Sequence, residues 1–320
     1  MELMRLIHSS VQIFSGILLS FSAYAWNLPV GDFEFVAIAD DVYVMHGPLS
    51  PPNRDNRGFM NNPAVIEGET GLILIDPGSS LPVGDKILEE VAKVSAKPVL
   101  AVFNSHIHGD HWLGNQAVKR AYPEIDIYAH AKTIAQSQAS EGASWLQLML
   151  QLTGGFSRGT EIVAANKPVK HNDRIIIDGE EFIIHSLLPS HTDTDIMIEH
   201  VGSRTIFMGD NCFNLRMGRY DNSSSIIGTI AALGYIAARN FDNVVPGHGP
   251  SGDNEAIIKP YLNYLRKLEK VVAEGLEAEL EDYEIKTQVL PQFAYLSHWS
   301  EFDQQFGPNL NKMYLELEAY

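Results

Sequence analysis

Four apolar runs in this 320-residue chain end in a turn that carries an imidazole or a carboxylate. "PVLAVF" runs into "NSHIHGDHWLGN", residues 104–115, which sets His106, His108, Asp110 and His111 within six positions. "EFIIHSLL" leads to "PSHTDTD" with His191, "TIFM" to "GDN" with Asp210, and "NVV" to "PGHGP" with His248. Polar groups this dense have no place in an apolar core, because each one buried without a partner costs free energy. Taken singly, the first cluster reads as a solvated turn, a set of metal ligands or an accident. The repetition decides between them. If the runs are strands of one sheet system, their turns lie along one edge and the side chains converge.

The rest of the chain supplies such a system. "FEFVAIAD", "VYVMHG", "PAVIEG" and "GLILID" are short, β-branched and separated by Gly, Pro, Asp or Asn, which predicts strands. "LPVGDKILEEVAKVSAK" predicts a helix, "PVLAVF" a buried strand, and a helix from near Leu113 precedes the strand "DIYAH". Alternation resumes in "RIIID", "EFIIHSLL", "DIMIEH", "TIFMGD" and "NVVPGHG", and "SSSIIGTIAALGYIAARN" is helical behind a Ser cap. From Asn254 onward the chain is mostly helical, with breaks expected near Pro291 and Pro308. Strands early and late with helices between predict an α/β chain whose two sheets are covered by helices, rather than one parallel sheet. Two segments fit poorly. Residues 46–63, "HGPLSPPNRDNRGFMNNP", form a loop long enough to suggest a function. Residues 131–160 form a helical insertion with an apolar face and a Gly-rich exit, read as an extra packing helix or as a lid over a site.

Charge and composition narrow the partners. The 40 acidic and 23 basic residues give a net charge of −17, which repels phosphate backbones and argues against nucleic acid. No glycine-rich nucleotide fingerprint is present. Residues 1–25 have the charged, apolar, small-x-small order of a secretory signal peptide, with Ala23-Tyr24-Ala25 before Trp26. Their apolar stretch is shorter than the ~20 residues of a bilayer span, although a membrane anchor is the competing reading. The mature chain, residues 26–320, is thus expected in the periplasm or secreted, with no membrane span after signal removal. A single cysteine, Cys212, cannot form an intramolecular disulfide.

The seven clustered residues are too many for one four-coordinate zinc and suit two metals with a bridging water. Two neighbouring cations acidify a shared water, so a hydroxide is available near neutral pH to attack an acyl or similar electrophile. Zinc is the expected metal; iron or manganese suits the same His/Asp ligands.

This set resembles the metallo-β-lactamase superfamily, and the likeness runs from "GLILIDPG" to "PGHG". It implies a four-layer αββα sandwich with its metal site at one edge, a helical lid at 131–160 and a C-terminal helical extension over 254–320. It implies two Zn2+ per chain, one on His106, His108 and His191, the other on Asp110, His111 and His248, with Asp210 bridging. Asp110 would also orient the hydroxide and relay its proton, and Asp76 in "LILIDPG" would hydrogen-bond near the metal loop. The commonest β-lactamase subclass uses a cysteine ligand and no bridging aspartate. Here "FMGD" resembles the bridging-aspartate members such as glyoxalase II and lactonases, and Cys212 is expected to be a small buried residue. "HGDHWLGN", "HTDTD" and "FNLRMGRYDNS" are similar to exported zinc metallohydrolases associated with quinoprotein dehydrogenases and sulfur oxidation.

The implied function is a periplasmic di-zinc hydrolase acting on an ester, lactone, thioester or similar bond of a small molecule. A β-lactamase and a metal-binding module without turnover are the alternatives. Arg216 and Arg219 are candidate contacts for an anionic group on a substrate, as are Arg54 and Arg57 in the early loop. The histidines at 8, 46, 130, 171, 185, 200 and 298 are solitary and expected to serve surface or core, with His46, at a strand end, the one to check.

Overall fold

A computed structural model describes residues 33–319; the leader-like residues 1–25 and His8 lie outside the described residues. Strands β1 (Val36–Ala39), β2 (Val42–Val44), β3 (Ala64–Glu67) and β4 (Leu72–Ile75) form an antiparallel meander. Helix α1 (Leu81–Val94) then crosses to β5 (Val99–Phe103), which pairs parallel to β4. The short helices α2 (Gly109–Trp112) and α3 (Asn115–Ala121) lead to β6 (Asp126–His130). The insertion forms α4 (Ala131–Ser137) and α5 (Ser140–Leu152), and β7 (Lys167–Val169) closes the first sheet parallel to β6.

The second sheet begins with β8 (Arg174–Ile177), β9 (Glu180–His185), β10 (Met197–His200) and β11 (Thr205–Phe207), antiparallel in succession. After α6 (Ile226–Ala237), β12 (Asn243–Val245) adds parallel to β11. Helices α7 (Lys259–Glu277), α8 (Asp282–Val289) and α9 (Phe302–Glu318) complete the chain.

The layering follows from the apolar runs. All four residues of β4 are buried. Because side chains alternate along a strand, Ile73 and Ile75 join Ala101 and Phe103 against Phe182, Ile184 and Phe207 of the second sheet. Leu72 and Leu74 point the other way, onto Val83, Ile87 and Val91 of α1 and Val118 of α3. A run that is apolar at every position is what a strand covered on both faces requires. Outside the second sheet, Met197 and Ile206 pack under Leu233, Leu265, Leu268 and Phe306 of the later helices. The result is the expected α/β architecture, an αββα sandwich. The Ser cap on α6 is Ser225, whose side chain accepts from the Gly228 N–H at 2.9 Å.

One strand lies where the sequence predicts none, and one expected break fails. Strand β7, "KPV", is not legible because Pro168 cannot donate to a ladder; the strand is tolerated because it lies at the sheet edge. Pro308 does not break the chain but sits inside α9. Gly307 before it lacks the Cβ that a proline ring crowds, and buried Phe306, Leu310 and Met313 hold the helix on the core. Among the described residues no helix is long and apolar enough to cross a membrane.

Candidate metal centre

The seven predicted residues converge at the carboxyl ends of β5, β9, β11 and β12, and all are buried. His106 and His108 lie in the loop after β5, and Asp110 and His111 in α2. His191 follows β9, Asp210 lies in a 3-10 turn (Gly209–Asn211) after β11, and His248 follows β12. They form two groups: His106, His108 and His191 with Asp210, and Asp110, His111 and His248. Within each group the donor atoms lie within 4.8 Å of one another. Asp210 faces both. Its Oδ2 is 3.9 Å from His106 Nε2 and 3.4 Å from His191 Nε2. Its Oδ1 is 3.2 Å from His111 Nε2 and 3.3 Å from His248 Nε2. Asp110 Oδ2 completes the second group, 3.4 Å and 3.3 Å from the same two nitrogens.

These residues fit a divalent metal. His106 Nε2, His111 Nε2 and Asp210 Oδ1 are buried without a hydrogen-bond partner, a cost that a folded protein accepts when something else satisfies the atoms. Imidazole and carboxylate donors facing one another are what such a cation takes.

A surrounding layer fixes which ring nitrogen is presented. His111 Nδ1 is 2.7 Å from Asp76 Oδ2, and Asp76 also accepts from the Ser105 N–H and hydroxyl at 2.8 and 2.7 Å. His248 Nδ1 donates to the Met60 carbonyl at 2.8 Å. Both rings therefore turn Nε2 inward. His108 is reversed: its Nε2 is 3.6 Å from Asp221, and its Nδ1 is 3.1 Å from His191 Nε2. Asp195 braces the His191 loop, accepting from the Ser190 hydroxyl and from the Thr192 N–H and hydroxyl. The long loop before β3 is part of this layer. Besides Met60, it supplies Asn61, which donates to the Asp76 carbonyl, and Asn62, which donates to the carbonyls of Pro246 and Gly249.

Asp76 was expected from sequence; Asp195, Asp221 and the Met60 carbonyl were missed. "HTDTD" and "GRYDNS" held the signal for the two aspartates, as carboxylates in polar loops beside the ligands. A backbone carbonyl leaves no signal.

Burial pushes His106 and His191 down, His191 to about 3, so both keep a free lone pair. Burial acts on His111 in the same direction, but the carboxylates of Asp210, Asp110 and Asp76 outweigh it and hold the ring well above its usual value. Burial would raise Asp110 and Asp210; His111 and His248 instead hold both carboxyls well below the usual range. A protonated His111 must lose its Nε2 proton before that atom can bind a metal, so affinity should strengthen as pH rises and weaken in acid. Calorimetry of zinc binding at pH 7, in buffers of different ionisation enthalpy, should show a net release of protons. Heats independent of the buffer would contradict the His111 assignment.

A cavity of about 390 Å³ opens over the cluster. Its floor includes His108, Asp110, His191, Asp210 and His248, and α5 forms one wall with Trp145, Leu148 and Leu152. The Trp145 ring lies 4.8 Å from that of His108, so the insertion faces the site. Arg216, buried, and Arg219, exposed, both line the cavity. Arg54 and Arg57 do not, which corrects their reading as substrate contacts. Arg54 packs on Gly154 and Arg57 lies 5.2 Å over the Phe156 ring, both at the glycine-rich exit of the insertion.

The solitary histidines also stay outside the cluster. His46 pairs with the Ser251 hydroxyl at 2.9 Å, His130 caps α4, and His171 accepts from the Ser186 N–H. His185 and His200 pair with Glu199 and Glu180, and His298 is exposed. Cys212 is fully buried in the helix-covered core, its sulfur 3.6 Å from the Ile257 carbonyl.

The model of the Metallo-beta-lactamase superfamily matches residues 56–248. A probable metallo-hydrolase of Streptococcus pyogenes is 26% identical over 200 residues, covering 59% of this chain and 79% of that protein. A hydroxyacylglutathione hydrolase of Photobacterium profundum is 26% identical over 147 residues, 46% of this chain and 44% of that protein. Among solved structures, a stereoselective inverting sec-alkylsulfatase from Pseudomonas sp. superposes with a TM-score of 0.67 at 19% identity, covering 88% of this chain and 50% of that one. The chain thus spans half of that alkylsulfatase, and at this identity the likeness is one of fold.

Proposed function

This chain belongs to the metallo-β-lactamase superfamily and is a metal-dependent hydrolase, and from that premise we propose that it uses two zinc ions to cleave an ester, lactone, thioester or similar bond of a small molecule. The observation that carries the reading is Asp210, which turns one oxygen toward each donor group. A bound cation pair supplies Lewis acidity and acidifies water. The chain supplies the rest. Asp110, held ionised at the cavity floor, can accept a proton from an attacking water and pass it to a leaving group. His106 and His191, kept neutral by burial, hold their lone pairs toward the cluster. Helix α5 walls the cavity beside the cluster, which supports the lid reading of the insertion.

A relative named for hydrolysing hydroxyacylglutathione supports an acyl bond. Cys212 faces the core, which weighs against the cysteine-ligand β-lactamase alternative. The composition of residues 1–25 supports export, with Trp26 as the mature N-terminus; sequencing the terminus of exported protein tests that directly.

The functional test is a screen of zinc-loaded protein against thioesters, lactones, carboxylesters, β-lactams and phosphodiesters. Acyl-bond hydrolysis should dominate, vanish with a strong chelator and return with zinc. Turnover confined to β-lactams or phosphodiesters would overturn the proposal.

A further inference from the structure

Resting on that hydrolase reading, we propose that the substrate is an anionic amphiphile: a hydrocarbon chain on the α5 side of the metal cluster and a compact monoanionic group held by Arg216 and Arg219 on the other. Arg216 carries the anionic half. It is 8% exposed, lines the cavity, and its Nε has no hydrogen-bond partner. Its Nη1 lies 3.4 Å from His248 Nδ1, but that nitrogen already donates its proton to the Met60 carbonyl and cannot accept. Among the described residues no carboxylate lies within ion-pair distance of Arg216 or Arg219. Glu141, Asp221 and Glu301 also line the cavity; Asp221 is engaged by His108 and by Ser223. Asp210, Asp110 and Glu301 act on Arg216 through space, but none accepts a hydrogen bond from it, and a planar fork left so suits carboxylate and sulfonate oxygens alike.

The apolar half comes from α5. Trp145, Leu148, Met149 and Leu152 recur at the spacing of one helix face, and that face lines the cavity. Leu152 is 36% exposed, and Pro51 and Pro52 of the early loop line the same space. Trp145 to Leu152 spans about 10 Å at 1.5 Å per residue, roughly the extended length of eight carbons. Trp145 lies against His108 and Arg216 against His248, which belong to opposite donor groups. A bond held over the cluster is therefore flanked by hydrocarbon on one side and a cation on the other.

Binding of a non-hydrolysable probe tests this apart from turnover. Octane-1-sulfonate, titrated below micelle formation into zinc-loaded protein, should bind at least tenfold more tightly than methanesulfonate and at least tenfold more tightly than octan-1-ol. Calorimetry gives the affinities, and quenching that disappears in Trp145→Phe locates the chain. Octanoate as a parallel probe distinguishes a carboxylate from a sulfonate preference. Arg219→Gln, at an exposed position, should lose at least threefold for both octyl anions and nothing for octan-1-ol; Arg216→Gln should lose more. The pair Leu148→Ser and Leu152→Ser should erase the advantage of the octyl chain and leave methanesulfonate unchanged. Equal affinity for octan-1-ol and octane-1-sulfonate, or no effect of chain length, would overturn the proposal. If the acyl screen shows no turnover but octane-1-sulfonate binds as described, the acyl-bond reading fails and the ligand class stands.

Discussion

Asp210→Asn is expected to lower turnover on the order of a hundredfold or more, about 3 kcal/mol, while leaving the metal-free fold close to its original stability. The exchange keeps the size of the side chain but removes its charge. Oδ2 faces His106 and His191, and Oδ1 faces His111 and His248, so the carboxylate can serve both donor groups at once. An amide offers one neutral oxygen and an NH₂ that repels a cation, so one site should empty before the other. Compared at a pH high enough to leave His111 and His248 neutral, where they no longer ion-pair with it, Asp210 Oδ1 is a buried charged oxygen without a hydrogen-bond partner, and its loss removes little that holds the fold together. Thermal stability should fall only by what bound metal contributed. Elemental analysis and melting curves with and without chelator check both halves of the expectation. Cys212→Ser is the control, since its thiol faces the core and burial holds it protonated. Full activity with two metals in Asp210→Asn, alongside an emptied site in Cys212→Ser, would mean that the ligand assignment is wrong.

Gly247→Ala should damage the centre by a different route, costing fold and metal together. A Cβ at residue 247 would lie 2.0 Å from Asp210 Oδ1 and 2.8 Å from the Gly209 carbonyl carbon and oxygen. The Gly247 N–H also donates to the Gly209 carbonyl at 2.7 Å, so the two backbones are already locked together. Side-chain motion alone cannot relieve the clash. The turns after β11 and β12 must separate, and they carry Asp210 and His248. Overpacking of this kind costs about 1–3 kcal/mol, and we expect metal content and turnover to fall at least tenfold. The melting temperature of the chelator-treated protein distinguishes the two variants: it should drop in Gly247→Ala and hold in Asp210→Asn. An unchanged melting temperature with full metal content would show that the turns separate freely.

The parts legible in the sequence share one property: each is encoded within a few residues. β4 is visible because "LILI" is apolar at every position, and a strand covered on both faces demands that. The ligands are visible because each sits in a turn directly after such a run. What escaped depends on neighbours distant in the chain. The Met60 carbonyl orients His248 across 188 positions, and nothing in "RGFMNNP" marks it as an acceptor. Asp221 and Asp195 could be seen as carboxylates, but their partners are set by how loops fold over the cluster. Arg54 and Arg57 looked equivalent to Arg216 and Arg219 until packing placed one pair at the exit of the insertion and the other on the cavity. Strand β7 was hidden by Pro168, whose cost depends on whether a strand lies at an edge.

The contacts of the loop before β3 have a kinetic consequence. Met60 and Asn62 leave the first sheet's side of the sandwich and fasten the turn that carries His248. Closing that contact joins segments nearly two hundred positions apart, and such closures come at an entropic cost that slows folding. Neither sheet alone presents a finished set of donors, because His106, His108, Asp110 and His111 follow β5 while His191, Asp210 and His248 come from the second sheet. Metal capture should thus be a late, all-or-none event that follows docking of the two sheets. A nascent chain stalled before His248 would lack the last donor, and an early intermediate would have only weak claims on the ion.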